Sequence, residues 1–268
     1  MDYSKYHDRK FELRPNGVLI ITMDRLSHKN AMSKKVHGSM GSMWRDVSRD
    51  PDVRVAIVTG VGDAFCAGGD LNIAEVANGN GAADMDEIID HGRDLVLEMI
   101  ECSKPIISAI NGVAVGGGLA LALGADIALM AEEATIFDGH IKLGIAAGDH
   151  AVLLWPLLMS LAKVRYYLLT CESISGREAE ALGLVSKALP REKLMAEALR
   201  IAEKLATGPQ PAIKMTKRAL NYWVKSAAPA FDLSLAYESL NILSADFAEG
   251  VRSVRTKTPA NFPSAPKT

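Results

Sequence analysis

The chain has 268 residues, 49% of them hydrophobic and 23% charged, with a formal net charge of −2. That length can bury a large core, and the near-neutral balance gives no long-range attraction for nucleic acid or an anionic membrane. Three cysteines, Cys66, Cys102 and Cys171, are odd in number and lack metal-ligand spacing, which predicts buried thiols, a reduced cytoplasmic setting and no metal.

In chain order, the start MDYSKYHDRKFELRPNG is polar and lacks a signal-peptide core. No run reaches the roughly 18 to 20 apolar residues that a membrane helix needs. Short β-rich runs follow at KFELR (10 to 14), GVLIITM (17 to 23), VRVAIVTG (53 to 60), PIISAIN (105 to 111), ADIALMA (125 to 131) and LVSKAL (184 to 189). The continuous apolar runs among them suit strands buried on both faces. Helical stretches are expected at about 33 to 49, 84 to 101 and 117 to 124, and NGNGAADMDE (78 to 87) reads as a flexible segment before the second. Such alternation predicts βα units and a mainly parallel sheet. From about residue 149 helical periodicity dominates, with a capping-box start at SGRE (Ser175 to Glu178). Further helices are expected near 191 to 206, 209 to 225 and 230 to 249, with a break at TGPQP (207 to 211). The plan is an α/β core, residues 1–205, followed by a helical region, residues 206–268.

Two glycine-rich turns stand where a β run meets a helix: GDAFCAGGDL (62 to 71) and NGVAVGGGLALALG (111 to 124). Glycine permits positive φ and close approach of a ligand to the backbone, and the first N–H groups of a helix lack internal partners at its positive end. Two such turns side by side could aim two N–H donors at one oxygen, each contributing on the order of 3 to 4 kcal/mol to an enolate or tetrahedral oxyanion. The structural alternative is tight helix–strand packing. No glycine is followed by the P-loop pattern, and GVGDAF (60 to 65) has Phe65 where a dinucleotide fingerprint needs its third glycine.

Four segments in a fixed order resemble the crotonase superfamily, the enoyl-CoA hydratase/isomerase family. MDRLSHKNAM is similar to its R-P-x-x-x-N-A-L segment, with Arg25, Asn30 and Ala31 in register and Leu26 in place of proline. AFCAGGDL resembles A-F-x-A-G-x-D-[LI], and PIISAINGVAVGGGLALALGADIALM resembles the long N-G-x-x-x-G-G-G signature. DFAEGVRSVRTK resembles D-x-x-E-G-x-x-x-F-x-x-K near the end. The resemblance implies a crotonase-type spiral of ββα units with a C-terminal helical trimerisation region, assembling as a homotrimer or a dimer of trimers. It implies an acyl-CoA substrate of the kind found in fatty acid metabolism, no cofactor beyond the coenzyme A of that substrate, and paired oxyanion donors at the amides of Gly69 and Gly117. Substrate or CoA contacts fall by motif position at Ser27, His28, Ala31, Ala67 and Asp70, and at Lys257 from a neighbouring subunit. Asp70 is also read as the cap of the following helix.

Hydratase members of the family use two glutamates. Their positions are Ala120 and His140 here. An alanine can neither activate water nor supply a proton, so the residues do not support ordinary two-glutamate hydration. The loop GHIKLGIAAGDH (139 to 150) instead brings His140 and Asp149, an imidazole and a carboxylate suited to general-base work near neutral pH. The structural alternatives are Asp149 as an N-cap, His140 as a hydrogen-bonded loop residue, and His150 on the helix exterior. His140 and Asp149 also resemble the pair in a branch of the superfamily that cleaves β-diketones, the 6-oxocamphor hydrolase type. That branch has a glutamate on a C-terminal helix, for which Glu238 is the candidate, and a further histidine in the G-G-G region that this chain lacks. Three readings stand: enolate chemistry on an acyl-CoA, β-diketone C–C hydrolysis, or a catalytically silent family member. Trp155 and Pro156 read as core and helix-bend residues.

Overall fold

The computed structural model describes residues 1–70 and 82–266. Strands β1 (Arg9–Leu13), β2 (Val18–Met23), β3 (Val55–Gly60), β5 (Ile106–Ile110), β7 (Ile127–Ala131) and β10 (Lys187–Leu189) form one sheet in the order β1-β2-β3-β5-β7-β10. Only β1 runs antiparallel to its neighbour. β3 and β5 are buried along nearly their whole length, which is why their sequences read as unbroken apolar runs rather than alternating ones.

A second sheet is built from strands too short to show a period: β4 (Ala64–Cys66), β6 (Val113–Val115), β8 (Thr135–Phe137) and β9 (Ile174–Ser175), in the order β4-β6-β8-β9. Each long strand therefore runs into a short one that crosses to the other sheet: β3 into β4, β5 into β6 and β7 into β8. The helices that follow are α3 (Ala82–Glu101), α4 (Gly117–Leu123) and α5 (Ala151–Leu158). The result is a mixed α/β spiral of ββα turns with mainly parallel sheets, as the sequence predicts. The second sheet was not predicted, because two or three residues carry no periodic signal.

The expected helix at 33 to 49 is two, α1 (Lys34–Gly38) and α2 (Met40–Arg49). The one expected at 230 to 249 is also two, α10 (Ala228–Ile242) and α11 (Ala245–Thr256), because Ser244 starts a new N-terminus by accepting the amide of Phe247. Between these groups lie α6 (Leu161–Thr170), α7 (Gly176–Leu182), α8 (Arg191–Ala206) and α9 (Gln210–Ser226). The capping box at α7 has both its bonds: Ser175 Oγ accepts the Glu178 amide, and the Glu178 carboxylate accepts the Ser175 amide. The strand expected over 184 to 189 shortens to β10.

The core joins both sheets and the inner helices around Trp44, Phe65, Trp155 and Phe231, all without solvent contact. Cys66, Cys102 and Cys171 are buried and unpaired, and burial pushes the Cys66 thiol up to about 12. No helix among the described residues is long and apolar enough to cross a membrane.

Candidate active site

The two glycine turns meet because β4 and β6 are parallel neighbours, so the turns that leave their ends lie side by side. A Cβ on Gly68, which has φ +92°, would stand 2.8 Å from the Val115 carbonyl of the other turn. Met32 knits them further. It donates its amide to Gly68 O and accepts from the Asp70 amide, both at 2.8 Å, in a parallel bridge to Gly69. In such a bridge the amide of Gly69 itself points away from Met32, and no backbone acceptor for it occurs among the described residues. A Cβ on Gly117 would stand 2.6 Å from Met32 Cε, so Met32 holds one turn with its backbone and lies against the other with its side chain. Gly117 is the first residue of α4, where an amide has no intrahelical acceptor.

The segment with Ser27, His28 and Ala31 packs beside this pair. Ala67 donates its amide to Lys29 O at 3.0 Å, and Arg25 bridges to Asp70 Oδ2 at 2.7 Å and to Ala31 O at 3.1 Å. Asp70 thus ties the two loops together. The helix it was expected to cap falls at residues 71–81, outside the described residues, as does the first part of NGNGAADMDE. Ser27 and His28 are exposed and hydrogen-bonded to each other at 2.8 Å. Lys257 closes α11 with φ 54°, and no hydrogen bond or ion pair among the described residues joins it to this group.

Side chains, not amides, build the opposite wall. β8 ends at Phe137, and the chain turns through Asp138 and Gly139 into a short helical turn at Ile141–Leu143. Asp138 is fully buried. It accepts the His140 amide at 3.1 Å and faces His140 Nδ1 with both oxygens at 2.9 Å. This fixes the ring and aims Nε2 at two further carboxylates, Asp149 Oδ1 at 3.6 Å and Glu238 Oε1 at 3.5 Å. Glu238 arrives from α10 because the loop is glycine-rich at the crossing. A Cβ on Gly148 would stand 2.5 Å from Glu238 Cβ and 2.6 Å from Ser234 O. Ser234 Oγ donates to Gly148 O at 2.9 Å, and Ala146 donates its amide to Asn241 Oδ1 at 3.0 Å. Glycine and alanine in GHIKLGIAAGDH thus admit a helix that carries the third carboxylate.

The electrostatics follow from that crowding. Burial alone would lower the His140 pKa, but Asp138, Asp149 and Glu238 outweigh it and hold the imidazolium well above its ordinary value. The ring is therefore an acid in the resting site, where the sequence suggested a neutral base; three facing carboxylates are the reason. Burial pushes Glu238 up, and the charges of Asp149 and Asp138 add to it against the opposing pull of His140. Asp149 goes the other way: burial resists its charge, but His150 and His140 hold it well below the usual carboxylate range.

Three more histidines surround these groups. His150 does not face outward: it is fully buried at the N-cap of α5, with Nδ1 on Asp149 Oδ1. The N-cap is thus His150 rather than Asp149. His37 on α1 stands with its ring centroid 6.2 Å from that of His91 on α3. Burial and His91 lower the His37 pKa to about 4, and Asp149 opposes that shift. Asp138, His37 and His91 were missed in the sequence; the D-x-H spacing of Asp138 and His140 was the one available signal. Ligand-type atoms of Asp138, His140 and Asp149 lie within 4.8 Å of one another. His140, however, directs one ring nitrogen to each carboxylate, an arrangement of hydrogen-bonding partners rather than of ligands converging on one ion.

The sequence pattern of the enoyl-CoA hydratase/isomerase family matches residues 14–264. The chain belongs to that family. Its members include a 1,2-epoxyphenylacetyl-CoA isomerase of Escherichia coli, 31% identical over 92% of this chain and 95% of that one. An enoyl-CoA hydratase/isomerase of Mycobacterium paratuberculosis has a crystal structure similar at TM-score 0.88 and 33% identity, over 94% of this chain and 100% of that one. A β-diketone hydrolase from the cyanobacterium Anabaena is similar at TM-score 0.82 and 30% identity, covering 90% of this chain and 96% of that one.

Proposed function

We propose that this family member acts on an acyl-CoA thioester through an enolate, with the amides of Gly69 and Gly117 on the thioester oxygen and His140 managing the proton. The observation that carries this reading is His140 Nε2, aimed between Asp149 and Glu238 without a normal hydrogen bond to either. That leaves a gap into which a reacting carbon can bring its proton. Glu238, a carboxylate raised toward neutral by burial, takes the proton from the α-carbon. The C–H electrons move to the thioester oxygen, and the His140 imidazolium returns a proton to a different carbon. The double bond has then moved, and Glu238 passes its proton across the 3.5 Å gap to His140 Nε2, which restores both groups. Asp138 and Asp149 keep the imidazolium loaded. Neither hydratase glutamate is required, which agrees with Ala120 on α4.

A 3-enoyl-CoA in deuterated water tests it: NMR should show enzyme-dependent migration of the double bond, with deuterium at the carbon that receives the proton. No binding at millimolar concentration would remove the CoA reading.

A second reading, hydrolysis of a cyclic β-diketone, is favoured by the approach of Glu238 to His140 and by the similarity to the Anabaena hydrolase. Here the carboxylates take a proton from water, the hydroxide adds to a ketone, and the C–C bond breaks to leave an enolate that His140 protonates. Loss of a diketone's ultraviolet absorbance would choose this route. Turnover of neither substrate class would assign the chain to the silent members of the family.

The homotrimer, or dimer of trimers, is proposed to assemble through residues 206–268. Leu220, Tyr222, Trp223, Tyr237, Leu240 and Leu243 are all more than half exposed there, a concentration of apolar surface typical of an interface. Light scattering gives the mass, and Trp223→Asp should lower it.

A further inference from the structure

His150 has no role in the proton transfers described above, yet its environment is not that of a packing residue. It has no solvent exposure. Its Nε2 is buried without any hydrogen-bond partner among the described residues, a state that costs on the order of 1 to 3 kcal/mol. As the N-cap of α5 it makes no side-chain capping bond, so the helix gains nothing from the imidazole. One side of the ring meets Trp155 edge-on, with centroids 6.4 Å apart. The remaining feature is its Nδ1, which lies on Asp149 Oδ1. That same oxygen faces His140 Nε2 at 3.6 Å. Two histidines therefore share one carboxylate oxygen, and the closer of them is the one without a chemical step.

We infer that His150 is a positioning residue: by donating Nδ1–H to the Asp149 oxygen that faces His140, it draws off part of that oxygen's negative charge and so weakens the hold of His140 on its proton. An imidazolium clamped by three carboxylates is a poor acid, because every facing charge makes the proton harder to release. His150 is the counterweight to that clamp. The sign does not depend on the protonation of His150. A neutral ring polarises Oδ1 through its hydrogen bond, and a cationic ring adds like-charge repulsion toward His140. The charged and titratable groups around the pair are Asp138 beside β8, Glu238 from α10, His37 from α1 and His91 from α3. None of the others is hydrogen-bonded to Asp149 among the described residues.

The inference rests on the proton-transfer reading of His140, and the experiment separates the two. Histidine-selective ¹⁵N NMR titration of the full chain reads the His140 pKa directly, without turnover, in wild type, His150→Ala, His150→Asn and His150→Gln. Asparagine places an N–H where Nδ1 stood, and glutamine reaches instead toward the Nε2 position. His150→Ala and His150→Gln should raise the His140 pKa by about one unit, roughly a tenfold tighter hold on the proton. His150→Asn should stay close to wild type. In double-bond migration of a 3-enoyl-CoA, the same two variants should move the alkaline limb of the pH profile upward, with asparagine restoring it. If His150→Ala does not fold, the asparagine and glutamine pair carries the comparison. An unchanged or lowered His140 pKa in the alanine and glutamine variants would overturn the inference, as would an asparagine variant that shifts as far as they do. If His140 moves as expected but wild type shows no double-bond migration in any acyl-CoA and no diketone cleavage, the proposed function fails and the positioning role stands.

Discussion

The two walls of the candidate site are made from different materials. One is backbone: amides at the ends of two adjacent strands, in turns where a Cβ on Gly68 or Gly118 would collide with the facing backbone. The other is five side chains from four places: Asp138 after β8, His140 and Asp149 on one loop, His150 at the start of α5 and Glu238 on α10. Backbone donors are placed by strand register and turn shape, so the glycine pattern that makes the turn is itself the signature of the donor. Side-chain groups converge from segments nearly 100 residues apart, and nothing local announces that they meet. In the proposed function the first wall holds an oxygen, whereas the second moves the protons.

The largest expected contrast comes from the side-chain wall. His140→Ala should lower kcat by roughly 10²- to 10⁴-fold in double-bond migration of a 3-enoyl-CoA, the usual contribution of one acid/base group, while the chain stays folded. A loss under tenfold would move the proton transfer elsewhere. The backbone wall should break differently. In Gly118→Ala the new Cβ meets the Cys66 carbonyl oxygen and stands 2.9 Å from Cys66 Cβ. Overpacking of that kind costs about 1 to 3 kcal/mol and should lower the melting temperature, by a few degrees per kcal/mol for a chain of this length. An unchanged melting curve would show that the turns are looser than described.

Smaller effects sharpen the electrostatics. Glu238→Gln removes the proposed α-carbon base and should lower turnover as His140→Ala does; it also removes one charge facing His140, so NMR titration should show the His140 pKa lowered by about one unit. The acid limb should disappear from the region above ordinary carboxylate titration if Glu238 is the base. The smallest effect is on stability. The folded pKa of His140 lies above its unfolded value, so its contribution is fully present below about pH 6.5 and is lost as pH rises through the folded pKa. Asp149 lies below its unfolded value, so its contribution is present above about pH 3.9 and is lost as pH falls through the folded pKa. Urea midpoints in His140→Gln should show less alkaline decline than wild type.

The apolar runs at β2, β3, β5 and β7, the capping box at Ser175 and both glycine turns were legible because each is a local rule expressed in consecutive residues. Helix ends at Ser39 and Ser244 were not, because continuous helical periodicity hides the break: Ser244 caps a new N-terminus, whereas the Ser39 hydroxyl turns back to donate to Lys35 O and Val36 O. His150 looked as ready to face water as the core, and only the packing of α5 buried it. Asp138 was overlooked for lack of a partner in view, although it is the residue that orients His140. Local chemistry in the chain thus determined the long strands of the first sheet and the two glycine turns, since turn geometry and strand burial are short-range demands. Tertiary structure completed the setting of His140, because a pKa depends on every charge within a few ångströms, and one of those charges, Glu238, arrives on a helix far away in sequence.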